Sequence, residues 1–191
     1  MTRIVRAGDL IGMPVITLDE ARTIGEVRDV LFDPAESAFV GFTVRGRGLL
    51  SPPMIGLLPA AAIASTGQDA VMISSAEDIV RERDAIREQI SERREVPGND
   101  VVTESGEPLG TVSDVVLELG EGAAGVVGYC VTLDNGRELV VPAPENAPDW
   151  ADAIVVPDEI VRQATEGLIG FSRLLEQSRR AGPMAAIEGG P

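Results

Sequence analysis

The stretch Ile24-Gly25-Glu26-Val27-Arg28-Asp29-Val30-Leu31-Phe32-Asp33 returns as Leu109-Gly110-Thr111-Val112-Ser113-Asp114-Val115-Val116-Leu117-Glu118. Gly25, Val27, Asp29 and Val30 match Gly110, Val112, Asp114 and Val115 in the same order. Working outward, Val40-Gly41-Phe42-Thr43-Val44 matches Val127-Gly128-Tyr129-Cys130-Val131. Leu58-Pro59 then matches Val141-Pro142, and Asp69-Ala70-Val71 matches Asp152-Ala153-Ile154. The offset holds at roughly 85 residues and drifts by only a few at turns. Ordered matches at a near-constant spacing mark a duplication, so the chain asks for two copies of one fold.

Each copy reads as short strands separated by turn residues, the pattern of a small all-β barrel or sandwich. In the first copy the strands are Met13–Leu18, Ile24–Phe32, Phe39–Val44, Met54–Leu58 and Ala70–Ile73, with Val40, Phe42 and Val44 on one face. In the second, Tyr129–Leu133 and Glu138–Val141 flank Asp134-Asn135-Gly136-Arg137, where Asn-Gly supplies the backbone angles of a tight hairpin. Between the copies, Ser74 to Glu95 reads as a charged helix, opened by a Ser74–Glu77 capping box and carrying a thin Ile79, Ile86, Ile90 stripe. A second helix is expected from about Pro157 to Arg180, with Ile160, Ala164, Leu168, Phe171 and Leu175 as its apolar stripe. The expected division is a first barrel over 1–75, a helical linker over 76–96 and a second barrel over 97–156. An amphipathic helix over 157–182 and a tail over 183–191 complete it.

Composition narrows the function classes. The chain has 191 residues, 44% of them hydrophobic and only 3% aromatic, so its core rests on Val, Ile, Leu and Ala. A formal net charge of −15 opposes steering toward nucleic-acid phosphates or anionic membrane surfaces. Every basic residue is Arg, and the chain has no His, which removes the commonest general base and metal ligand. The single cysteine, Cys130, can form neither an internal disulfide nor a cysteine metal cluster. Nothing at Met1-Thr2-Arg3-Ile4-Val5-Arg6 leads into a signal-peptide core, and no run is long enough to span a bilayer. The expectation is a soluble cytoplasmic protein with no cofactor, no nucleic-acid partner and no membrane insertion.

The succession of IGEVRDVLFD, a turn, VGFTV, LLP and DAVMI resembles the PRC-barrel domain. The resemblance covers about Gly8 to Ile73 and, in weaker form, about Gly98 to Val156. Its motif is a fold signature of glycines and an aspartate at strand ends. It implies a mainly β fold of two tandem small barrels that serves as a scaffold for protein contact, with no shared cofactor or catalytic residues. The domain also occurs in the reaction-centre H subunit and in ribosome-maturation factors.

Several residues invite chemistry. Asp29 and Asp114 hold equivalent positions, but a catalytic carboxylate pair needs a cleft, and the plainer role is to accept backbone amides at a turn or bulge. Cys130 aligns with Thr43, on the face opposite Tyr129, and without a neighbouring base it is expected to be passive. The spacing of Arg45-Gly46-Arg47-Gly48 matches neither phosphate-binding fingerprint and suits a hairpin tip. That tip is the candidate contact surface: where the second copy closes with four polar residues, the first places Arg45, Arg47, Leu49, Leu50, Pro52 and Pro53. The Phe171 stripe is expected to dock on a barrel of the same chain. The reading is a non-catalytic adaptor that binds another protein, with a homodimer through the Leu49–Leu50 tip as one form of it. The alternative is a ribosome-assembly factor contacting a ribosomal protein. No catalytic, metal or cofactor-binding residue is assigned.

Overall fold

The computed structural model describes residues 3–33, 38–47, 56–81, 97–120, 123–144 and 153–181. The first half holds β1 (Arg3–Arg6), β2 (Pro14–Thr17), β3 (Thr23–Asp33), β4 (Ala38–Arg45), β5 (Gly56–Pro59), β6 (Ile63–Thr66) and β7 (Val71–Ile73). The second holds β8 (Asp100–Thr103), β9 (Pro108–Gly120), β10 (Ala123–Thr132), β11 (Glu138–Pro142) and β12 (Ala153–Val156). Two helices follow, α1 (Asp158–Arg162) and α2 (Gly167–Ala181).

One sheet runs β5-β4-β3-β2-β7-β6, and the other runs β11-β10-β9-β8-β12 with β1 laid on β9. The first five positions of the two orders correspond strand for strand. In both, the hairpin strands are antiparallel while the last strand runs parallel to the first, β7 along β2 and β12 along β8. Even the irregularities repeat. The register shifts at Arg28 and Val40 in the first unit, and at Ser113 and Val127 in the second. These bulges correct the expectation that Val40 shares a face with Phe42 and Val44. The extra residue turns Val40 to the outer side with Leu31 and Leu57, while Phe42 and Val44 enter the core.

After its parallel strand, each unit makes one helical turn and crosses to the opposite edge. In the first, a 3-10 turn over Ala76–Asp78 leads to Val80, which bridges Leu57 in β5. In the second, α1 leads to Thr165, which bridges Val140 in β11. The sheet ends of each unit are thereby tied by the same device. The cap lies one residue later than the sequence suggests: the Ser75 amide donates to the Asp78 carboxylate at 2.9 Å, the Ser75 hydroxyl accepts from the Glu77 amide at 3.2 Å, and the chain is already extended at Ile79. Ile79 is buried in the core instead of lining a helix. The rest of the expected linker, with Ile86 and Ile90, lies outside the described residues, as does the tail from 183. The C-terminal helix is also broken where a continuous one was expected, because Val140 and Thr165 exchange backbone bonds of 2.8 and 3.0 Å. Gly167, at φ +75°, begins the second helix.

A single core cluster draws on both halves: Phe32, Phe39 and Phe42 from the first belong with Val5, Leu117, Leu119 and Tyr129. The strand β1 reinforces the union. Although it opens the first half of the chain, it pairs antiparallel with β9, Arg3 opposite Leu119 and Arg6 opposite Val116. A second cluster lies on the outer face of the second sheet, where Phe171 of α2 covers Val116, Cys130 and Val140. The apolar face of this helix is thus docked within the chain.

Candidate functional site

The strongest sequence candidate was the β4–β5 connection, and the described part of it is its root. Arg45 leaves β4 opposite Glu26 of β3 in the ladder. Its Nε lies 2.6 Å from Glu26 Oε1, and Arg47 Nε lies 3.6 Å from Glu26 Oε2. One carboxylate therefore gathers both arginines and orients the start of the tip. Leu49, Leu50, Pro52 and Pro53 lie outside the described residues. Glu26 was missed in the sequence, although a cross-strand acid opposite Arg45 is a recognisable pair once the strand register is known.

The two repeated aspartates are held in different ways. Asp29 accepts a 2.7 Å bond from the Thr43 hydroxyl, which itself accepts from the Asp29 amide at 3.0 Å. Asp114 accepts from the amides of Val115, at 2.7 Å, and Gly8, at 3.2 Å. Burial raises the Asp114 carboxyl above its ordinary range, and the two amide bonds partly offset that. Each aspartate sits next to a bulge, but the expected acceptance of backbone amides holds for Asp114, whereas the Asp29 carboxylate takes a side-chain hydroxyl instead. Only Asp114 binds an amide from a distant segment, so in the second unit the motif also anchors the arm that follows β1.

Beside Asp114, the Arg6 guanidinium binds both oxygens of Glu138 in a bidentate pair, and the Ser113 hydroxyl donates to Glu138 at 3.0 Å. The bond to Glu138 raises the pKa of Arg6 further. This network, absent from the sequence-level candidates, fastens β1 onto the second sheet. Cys130 lies under Phe171, and burial pushes its thiol up to about 12. A thiol held so far into its neutral form is a poor nucleophile.

A concavity lies at the seam of the two halves, a cleft of about 350 Å3 lined by Ala60, Ala61, Ile63, Ser65, Thr66, Leu119, Gly120 and Ala124. Its walls are small and mostly apolar. Thr66 Oγ1 is buried there without a hydrogen-bond partner among the described residues. Among those residues no group of three or more acids and cysteine could hold a metal ion, and no helix is long and apolar enough to cross a membrane.

The PRC-barrel domain model matches the chain twice, over residues 3–80 and 88–167. The matches end at or beside the two bridging positions, Val80 and Thr165, so each takes in the five corresponding strands of one unit and the crossing that ties their ends. The strand β1 falls in the first match although it pairs with β9 of the second sheet. No curated protein matches the chain.

Proposed function

Because the chain belongs to the PRC-barrel domain family, in two tandem copies, we propose that it is a non-catalytic adaptor that contacts another protein through the first unit. The observation that carries this reading is the contrast between equivalent hairpins. In the second unit the connection from β10 to β11 is closed by a type I turn with Gly136 at φ +78°, and Arg137 adds a bond to the Asn135 side chain. In the first unit the connection runs from 46 to 55, and its root is braced by two arginines on Glu26. A connection larger than the fold requires, set on a rigid root, is the usual place for binding residues. The engaged state of Asp29, Asp114 and Cys130 supports the non-catalytic part of the reading. The charge of −15 supports a basic protein surface as the partner in a soluble cytoplasmic setting.

The test replaces residues 47–53 with the short Asp134-Asn135-Gly136-Arg137 turn and compares the two proteins as baits in cross-linking capture. Partners that cross-link through this connection should be lost, with the melting temperature kept. An identical partner set for both baits overturns the assignment. A captured set dominated by ribosomal proteins replaces the adaptor with the ribosome-assembly reading.

A further inference from the structure

The cleft of about 350 Å3 at the seam of the two halves is not used by the contact surface of the first unit. Its volume falls at the lower end of the roughly 300–1,000 Å3 of small-molecule sites, which favour the junction of two units. One wall comes from the first unit, with Ala60 and Ala61 in a 3-10 turn and Thr66 in β6. The other comes from the second, with Leu119 and Gly120 at the end of β9 and Ala124 in β10. Alanine and glycine leave the space open, and their walls suit an apolar guest.

A cation stands at one end of this space. Arg3 lies opposite Leu119 in the β1–β9 ladder, and residues opposite each other in an antiparallel pair share a face. Leu119 is buried in the core, so the Arg3 side chain also leaves its strand toward the first unit. Its Nη1 donates to the carbonyl of Gly67, the residue after Thr66. The side chain therefore spans from the Leu119 wall to the Thr66 wall, and the Gly67 bond fixes its guanidinium there. Thr66 adds a hydroxyl, for its Oγ1 is buried without a hydrogen-bond partner among the described residues. Rotation about χ1 exchanges methyl and hydroxyl at the cleft wall, so an acceptor in the cleft would supply the bond that Oγ1 lacks.

We propose that the cleft binds a small aliphatic carboxylate, its chain between the alanine walls and its head group on Arg3 and Thr66. An arginine held by Nη1 offers Nε and Nη2 as the planar fork that takes a carboxylate in two parallel bonds. The net charge of −15 selects among anions, because the repulsion grows with ligand charge. A monoanion is admitted where a dianionic phosphate ester is opposed. Since the two walls belong to different units, the ligand also ties the halves together. The site stands apart from the 46–55 connection and does not rest on the adaptor reading.

Octanoate is the probe, titrated into the full chain by calorimetry and amide NMR, with octanol as its neutral analogue. Octanoate should half-saturate at about 1 mM or below. Its shifts should centre on Thr66, Leu119 and Ala124, and the melting temperature should rise. Octanol, which lacks the charge that Arg3 meets, should bind about tenfold more weakly. Arg3→Gln should weaken octanoate about tenfold and leave octanol unchanged. Ala124→Leu fills the cleft and should abolish both; if that variant unfolds, Ala61→Leu at an exposed position serves the same end. No binding at about 10 mM octanoate overturns the proposal. So does binding that survives the filled cleft, since the ligand then sits elsewhere. Equal affinity for octanoate and octanol overturns the carboxylate assignment.

Discussion

A methyl group on Gly128 would stand 2.7 Å from the carbonyl oxygen of Val141 and 2.8 Å from Phe171 Cζ. Its repeat partner Gly41 is pressed in the same way against the carbonyl of Leu58, so the close approach of neighbouring strands explains why both copies keep glycine. Gly128→Ala should therefore destabilise the protein by about 1–3 kcal/mol in denaturant titration. Cys130 supports a prediction of a different kind. Its thiol is raised from an ordinary 9.0 to about 12 by burial. The stabilisation from keeping it neutral is complete below the unfolded value and is lost as pH rises through that interval. Unfolding free energy measured from pH 8 to 11 should carry an alkaline decline that a Cys130→Ala variant lacks in part. The native thiol should resist disulfide reagents at neutral pH and react once the chain unfolds.

Among the elements, α2 separates a packed face from a free one within three residues. Phe171 is fully buried, while Ile169 is 74% exposed. Phe171→Ala should cost about 3–5 kcal/mol, whereas Ile169→Ser should stay within about 0.5 kcal/mol. Equal losses would mean that the helix does not dock by its Phe171 face. The stripe from Leu168 to Leu175 was legible because helical spacing is a local property. The break before it was not, since nothing near Thr165 announces that Val140 will bond to it across the fold. The same limit hid β1 and β6. Arg3-Ile4-Val5-Arg6 has no strand alternation of its own, and its place is decided by the β9 edge and by Glu138. The capping box was off by one residue because Ser74 and Ser75 offer nearly equal spacings, and Val80 fixes the choice by pairing with Leu57.

For the molecule as a whole, the duplication was readable, but the order of strands in each sheet and the union of the two halves were not. A repeat read in isolation suggests two independent barrels on a spacer. The core instead joins Phe32 and Phe39 to Leu119 and Val5, and β1 crosses from one half to the other. Calorimetry should accordingly give a single transition with matching calorimetric and van't Hoff enthalpies. Two resolved transitions would show that the shared core is too weak to couple the halves. The candidate contact tip was legible only as a contrast between repeats, since exposed leucines and prolines carry no geometry of their own.

The crossing of β1 also sets a timetable for the nascent chain. Arg3–Arg6 leave the ribosome long before their partners, Val116–Leu119. At about 5–20 residues per second the arm waits several seconds or more for its groove to be made. During that wait it is an unpaired strand with Ile4 and Val5 uncovered, which a chaperone can hold. The first sheet can assemble in the meantime, because all its strands lie between Pro14 and Ile73. Docking of the arm is then a late event, which registers that the second repeat has been synthesised and folded.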